Sequence, residues 1–108
     1  MQINGLRFMM VGGASGMGRA TAERVAAGGG KVATLDREGS AGAEVAAAIG
    51  GTYHVCNIVD FEGTEAVVNE AVEALGGLDA AAITAGGGTA ARTLSKDGPH
   101  DLDAFRSV

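Results

Sequence analysis

The chain has 108 residues, 46% of them hydrophobic and 19% charged, with a formal net charge of -5. That is the size and composition of one small globular domain, or of part of a larger one, not of a disordered segment, and the acidic balance argues against a general nucleic-acid surface. Gly supplies 19 residues against one Pro, with no triplet repeat, which excludes a collagen-like chain and marks many tight backbone positions. The lone Cys56 excludes an internal disulfide and fits a reducing compartment. No apolar run reaches the length of a membrane span, and the opening MQINGLRFMM lacks a signal-peptide layout. A cytoplasmic domain without nucleic-acid or membrane partners is the expectation.

Leu6 to Val11 is a compact apolar run ended by Gly12-Gly13, as a buried strand would be. Gly16 to about Ala27 reads as helix, with Met17, Ala20, Thr21 and Val25 roughly on one face, and Gly28-Gly29-Gly30 stops it, since glycine readily supplies a left-handed cap. Lys31 to Leu35 is a second strand, closed by Asp36-Arg37. Ser40 to Ile49 is an Ala-rich helix, and Thr52 to Cys56 a third strand. Asp60 suits the N-cap of a third helix through Leu75, with Val68, Ala71, Val72 and Leu75 as its apolar stripe. Leu78 to Thr84 is a fourth strand. A loop from Ala85 to His100 follows, and Asp101 opens a possible last helix. Strict alternation implies a parallel sheet with helices on both faces. Right-handed crossovers then give a Rossmann-like, doubly wound α/β sheet of order 3-2-1-4, with its switch point between strands 1 and 4.

Gly12, Gly16 and Gly18 sit between the first strand and the first helix. Gly12 permits a sharp exit from the strand, Gly16 lets the backbone approach a pyrophosphate, and Gly18 lets the helix pack on the sheet. The helix N-terminus adds N–H groups and a positive dipole end. The alternative is a plain strand-to-helix turn. A P-loop reading fails, because Arg19 stands where Lys is needed and Ala20 where Ser or Thr must hold magnesium. Asp36, 18 residues after Gly18, ends the second strand. A carboxylate there accepts ribose hydroxyls and repels a 2′-phosphate, favouring NAD over NADP, although Arg37 could accept that phosphate. Ser15 could hydrogen-bond a phosphate or simply shape the turn.

These residues resemble the short-chain dehydrogenase/reductase (SDR) family. Gly12, Gly16 and Gly18 match its Thr-Gly-x-x-x-Gly-x-Gly signature, and Leu78-Asp79 followed by Ile83-Thr84-Ala85-Gly86 is similar to its strand-4 Asn-Asn-Ala-Gly. Val11 replaces the family's Thr, Asn57 stands where an Asp usually faces the adenine amino group, and Ile83 and Thr84 replace both Asn residues. The resemblance implies NAD(P)-dependent hydride transfer between an alcohol and a ketone. Its implied cofactor contacts are Gly12, Ser15, Gly16, Met17, Gly18, Asp36, Arg37, Asn57, Ile58, Ala85 and Gly86. It also implies that 1–108 is a single, truncated dinucleotide-binding domain, about the first two-fifths of a typical member. The family's Ser and Tyr-x-x-x-Lys are absent, because the one tyrosine, Tyr53, is followed four residues on by Asn57.

The remaining candidates read as structural. His54 falls on the third strand, away from the switch point. His100, near Asp97, Asp101 and Asp103, could join a metal cluster but reads better as part of a helix cap. Cys56 suits a small buried position. Ser95-Lys96 lies in a loop without a scaffold for a nucleophile. No catalytic or metal-ligating residue is therefore expected in this chain. Three functions remain open: the cofactor half of an oxidoreductase, a non-catalytic NAD-binding module, or a fragment that oligomerises along an exposed fourth strand.

Overall fold

The computed structural model describes residues 1–108. Five parts of the chain make the sheet and its first cover: β1 (Arg7–Val11), α1 (Gly16–Ala27), β2 (Lys31–Asp36), α2 (Gly42–Ile49) and β3 (Thr52–Val55). α3 (Phe61–Leu75) and β4 (Ala80–Ile83) complete the alternating unit. Beyond it come a two-residue hairpin, β5 (Leu94–Ser95) with β6 (Gly98–Pro99), and a short helix, α4 (Leu102–Arg106). The four long strands form one parallel sheet of order β3-β2-β1-β4, the expected Rossmann-like arrangement. Register is fixed by β1, where Phe8 faces Val32 of β2 on one side and Ala80 of β4 on the other.

The apolar run of β1 has no polar alternation because both sheet faces are covered. Successive side chains point to opposite faces. Phe8 and Met10 join Leu6, Val32, Ala22 and Val25 in one core cluster, against which Ile49 of α2 packs. Met9 joins Ala33, Leu35, Cys56, Ala71 and Leu75 in the other, under α3. Met10 and Leu35 are fully enclosed, each worth about 1.5–3 kcal/mol of burial. Buried Thr34 is satisfied by donating its hydroxyl hydrogen to Thr52 O at 3.0 Å.

α3 begins at Asp60, whose carboxylate accepts the Gly63 N–H at 3.1 Å. Its stripe is the expected one: Ala71 and Leu75 are buried, and Val68 and Val72 pack beside them. α1 differs from expectation. Its buried residues are Gly18, Ala22 and Val25, whereas Met17 is 78% exposed and Ala20 lies outside. The start of the helix approaches β1 so closely that a methyl at Gly18 would overlap the Gly12 carbonyl oxygen. Of the three glycines that stop the helix, Gly29 is the left-handed one, at φ 88°, while Gly28 stays at φ -82°. The fourth strand, Ala80–Ile83, is shorter than Leu78 to Thr84, although the Asp79 and Thr84 N–H groups on either side still donate to Arg7 O and Val11 O at 2.9 Å. The loop after it contains the β5–β6 hairpin, and Asp101 caps α4 by accepting the Ala104 N–H at 2.7 Å.

No residue after Leu75 is buried. The radius of gyration is 16.2 Å, above the ~13 Å expected of a compact chain of this length. β4 carries no neighbour on its outer edge, and Ile83 is 73% exposed. No helix is long and apolar enough to cross a membrane.

Candidate functional site

All four parallel strands end at the same edge of the sheet, where α1 begins, so the segments following β1, β2, β3 and β4 meet there. The turn from β1 to α1 is held at several points. Gly12 N–H donates to Leu35 O at 2.7 Å, and Gly13 N–H to the same oxygen at 3.4 Å. Ala14 N–H donates to Asp36 Oδ2 at 2.9 Å, which ties the middle of the turn to the end of β2. Gly12 adopts φ 89° and Gly16 φ 55°, left-handed values that favour glycine.

The three glycines differ in what surrounds them. A methyl at Gly12 would lie 2.6 Å from the Ala85 nitrogen, so β4 closes on it. A methyl at Gly18 would overlap the Gly12 carbonyl oxygen and lie 2.7 Å from Thr84 Oγ1. At Gly16 nothing stands within 4 Å, so its side-chain direction opens on space outside the protein. Here the helix starts. Arg19 N–H reaches Ser15 O at 3.1 Å, while Gly16, Met17 and Gly18 have no intrahelical acceptor for their N–H groups. Ser15 is the N-cap, yet its hydroxyl makes no cap hydrogen bond. Main-chain amides without acceptors at a helix N-terminus suit an anion.

Asp36 stands beside this turn. Its Oδ2 takes the Ala14 N–H, and its Oδ1 takes the Arg37 N–H at 2.8 Å. Each oxygen keeps acceptor capacity for a further donor. Arg37 is exposed and enters no ion pair. After β3, Asn57 Oδ1 accepts the Val59 N–H at 3.3 Å, a local turn that uses part of the acceptor capacity of the carboxamide. Ile58 is partly open beside it. After β4, Ala85 N–H donates to Val11 O at 3.2 Å, so Ala85 and Gly86 border the β1 turn.

Two features escaped the sequence reading. One is the bond from Ala14 to Asp36, which makes the β2 carboxylate part of the turn. The other is Thr84, whose hydroxyl reaches the carbonyls of Val11 and Gly12. Only its position at the end of a strand beside the glycines could have flagged it.

The other ionisable groups lie elsewhere. Arg7 and Asp79 join the starts of β1 and β4 through Nη2 to Oδ1 at 2.7 Å and Nε to Oδ2 at 3.0 Å. Arg7 N–H also donates to Asp79 Oδ2 at 2.9 Å. These hydrogen bonds hold the Asp79 carboxyl down at about 2 and raise the guanidinium of Arg7 above its ordinary value. Arg19 is engaged by Glu23 at 2.8 Å, one helical turn on, which raises its pKa as well. Tyr53 donates its hydroxyl hydrogen to Arg37 O at 2.7 Å, a structural bond. His54 lies on β3, with Nε2 3.0 Å from Thr52 Oγ1. His100 Nδ1 lies 2.7 Å from Asp101 O. No group of three or more His, Cys, Asp or Glu side chains converges to hold a metal. A surface groove of about 560 Å³ lined by His100, Phe105 and Arg106 involves none of the strand-end residues.

A parallel sheet of this order, with a glycine turn at the N-terminus of its first helix and an acidic residue ending the second strand, defines a Rossmann-type α/β domain. The match of residues 7–105 to the family model "short chain dehydrogenase" carries this further: the chain belongs to the short-chain dehydrogenase family. Among curated proteins, it is 42% identical over 81 residues to a 2,5-dichloro-2,5-cyclohexadiene-1,4-diol dehydrogenase of Sphingobium indicum. That match covers 73% of this chain and 32% of the relative. It is 36% identical over 104 residues to a 3-hydroxyacyl-CoA dehydrogenase type-2 of Drosophila melanogaster, covering 93% of this chain and 41% of the relative. Among solved structures, it resembles the 3-ketoacyl-(acyl-carrier-protein) reductase of Brucella melitensis, crystallised with NADH, at a TM-score of 0.69 and 28% identity. There the match covers 73% of this chain and 33% of the reductase. The chain thus spans between about a third and two-fifths of these proteins.

Proposed function

We propose that this chain is the dinucleotide-binding part of a short-chain oxidoreductase and that it takes NAD. The observation that carries the reading is the turn from Gly12 to Gly18. Its helix-start amides are without intrahelical acceptors, and space opens at Gly16, with the Asp36 carboxylate fastened alongside. In this reading the amides of Gly16, Met17 and Gly18, with the Ser15 hydroxyl, take the pyrophosphate. Asp36 takes the adenosine ribose hydroxyls, Asn57 and Ile58 border the adenine, and Ala85 and Gly86 border the nicotinamide side. The carboxylate at 36 opposes a 2′-phosphate, which favours NAD, and Arg37 is the residue that would reverse that preference. When bound, nicotinamide supplies hydride transfer between an alcohol and a ketone, and the protein orients it.

No residue pair in the chain supplies the acid–base partner of such a reaction. Tyr53 has Asn57, not Lys, four residues on, and its hydroxyl is committed to Arg37 O. The 108 residues alone are therefore expected to bind without turnover, as a non-catalytic NAD module would. Calorimetric titration with NAD and with NADP tests the reading. Binding of NAD that is lost in Gly16→Val supports it, tighter binding of NADP reverses the cofactor assignment, and the absence of both refutes it. With Cys56 as its one cysteine the chain forms no internal disulfide, which favours a reducing, cytoplasmic setting.

A second reading, self-association, is favoured by the open edge of β4 with Ile83 exposed on it. Its occupant is a second copy of this chain. Sedimentation of the parent and of Ile83→Lys decides: a dimer that the lysine disperses supports it, and a parent that stays monomeric refutes it.

A further inference from the structure

We propose that Thr84 is a positioning residue of the glycine turn, its hydroxyl fixing the first peptide of the turn from the β4 side. Val11 O accepts the Thr84 N–H at 2.9 Å and the Ala85 N–H at 3.2 Å. The Thr84 hydroxyl lies 3.5 Å from that same oxygen and 3.4 Å from Gly12 O, sharing one hydrogen between two carbonyls. No other side chain donates to either carbonyl. The first residue of the motif cannot supply this contact, because Val11 has an apolar side chain packed against the α3 core. The hydroxyl comes instead from the neighbouring strand.

Its seat is a notch made by two of the glycines. A methyl at Gly12 would lie 2.9 Å from Thr84 Oγ1, and one at Gly18 would lie 2.7 Å from it. The peptide between Gly12 and Gly13 is planar, so its carbonyl and its N–H turn together. Thr84 engages the carbonyl end, and Leu35 O receives the Gly13 N–H at 3.4 Å on the other. One residue later, Asp36 receives the Ala14 N–H. The turn is therefore tied to β2 at Gly12, Gly13 and Ala14 and to β4 through Thr84. With the hydroxyl removed, the β4 tie weakens and the amides downstream lose their aim.

The ligand arm of the test rests on the dinucleotide reading, and the exchange arm does not. Amide hydrogen exchange by NMR on the 108-residue chain would compare the parent with Thr84→Val, which keeps the shape, and Thr84→Ser, which keeps the hydroxyl. Exchange of the Gly12, Gly13 and Ala14 amides should rise about threefold to tenfold in Thr84→Val, the range carried by one neutral hydrogen bond. It should return to parent rates in Thr84→Ser, with Met10 and Leu35 amides unchanged throughout. NAD affinity by calorimetry should fall by a similar factor and return likewise. Equal exchange of the turn amides in parent and Thr84→Val overturns the proposal. So does an increase spread evenly over Met10 and Leu35, which marks lost global stability. A parent chain that does not bind NAD removes the dinucleotide reading, and the exchange pattern alone then decides the role of Thr84.

Discussion

Gly18→Ala should destabilise the chain more than Gly16→Ala, against the usual behaviour of the two positions. Gly18 lies inside α1, where replacing glycine by alanine ordinarily gains up to about 1 kcal/mol of helix propensity. Here the added methyl would overlap the Gly12 carbonyl oxygen, lie 2.8 Å from the Gly12 carbonyl carbon and press on Thr84 Oγ1 at 2.7 Å. Two of these three atoms are backbone, so the helix must lift from β1. Overpacking of this kind costs about 3 kcal/mol or more at its upper end. Less the propensity gain, the net loss is about 2–3 kcal/mol, or ~10–20 °C in melting temperature for a domain of this size. At Gly16 the methyl meets nothing, and the cost is the left-handed backbone at φ 55°, about 1–2 kcal/mol. That same methyl fills the space assigned to the pyrophosphate, so Gly16→Ala should lose NAD binding while remaining folded. Urea unfolding followed by circular dichroism, with NAD calorimetry on the folded variants, measures both effects. A Gly18→Ala chain as stable as Gly16→Ala would show that the close contact of α1 with β1 does not govern the turn.

Acid unfolding should report the link between β1 and β4. The Asp79 carboxyl is lowered from 3.8 to about 2 by Arg7, so its contribution is complete above about pH 4 and disappears as pH falls towards 2. Asp79→Asn should flatten that part of the stability curve relative to the parent, and identical curves would refute the role of the pair. Tyr53→Phe removes the bond to Arg37 O and should cost about 1 kcal/mol in urea unfolding. NAD affinity should be unchanged, and a loss of binding would reassign Tyr53 to the site.

The order of the sheet was legible because apolar runs alternate with helical stretches, and right-handed crossovers leave few ways to connect them. The glycine turn was legible because Gly12, Gly16 and Gly18 each meet a different steric demand, and Asp36 because it ends a strand at the right distance. The contact face of α1 was not. Gly18 and Ala22 carry little apolar surface, so they read as neutral, while Met17 drew the reading outward; closeness of approach, rather than hydrophobicity, selects that face. The hairpin of Leu94–Ser95 with Gly98–Pro99 has strands too short to show alternation. The bond from Ala14 to Asp36 and the seat of Thr84 depend on distances between segments 22 and 72 residues apart, which no local pattern carries.

β1 is a partition wall with Phe8 and Met10 on one side and Met9 on the other. Removing the wall empties both rooms, so neither α1 nor α3 can keep its packing when the other half melts. Reporters attached to these two helices should therefore register a single, superimposable unfolding transition, and the molecule should have no half-folded form in which one layer persists alone.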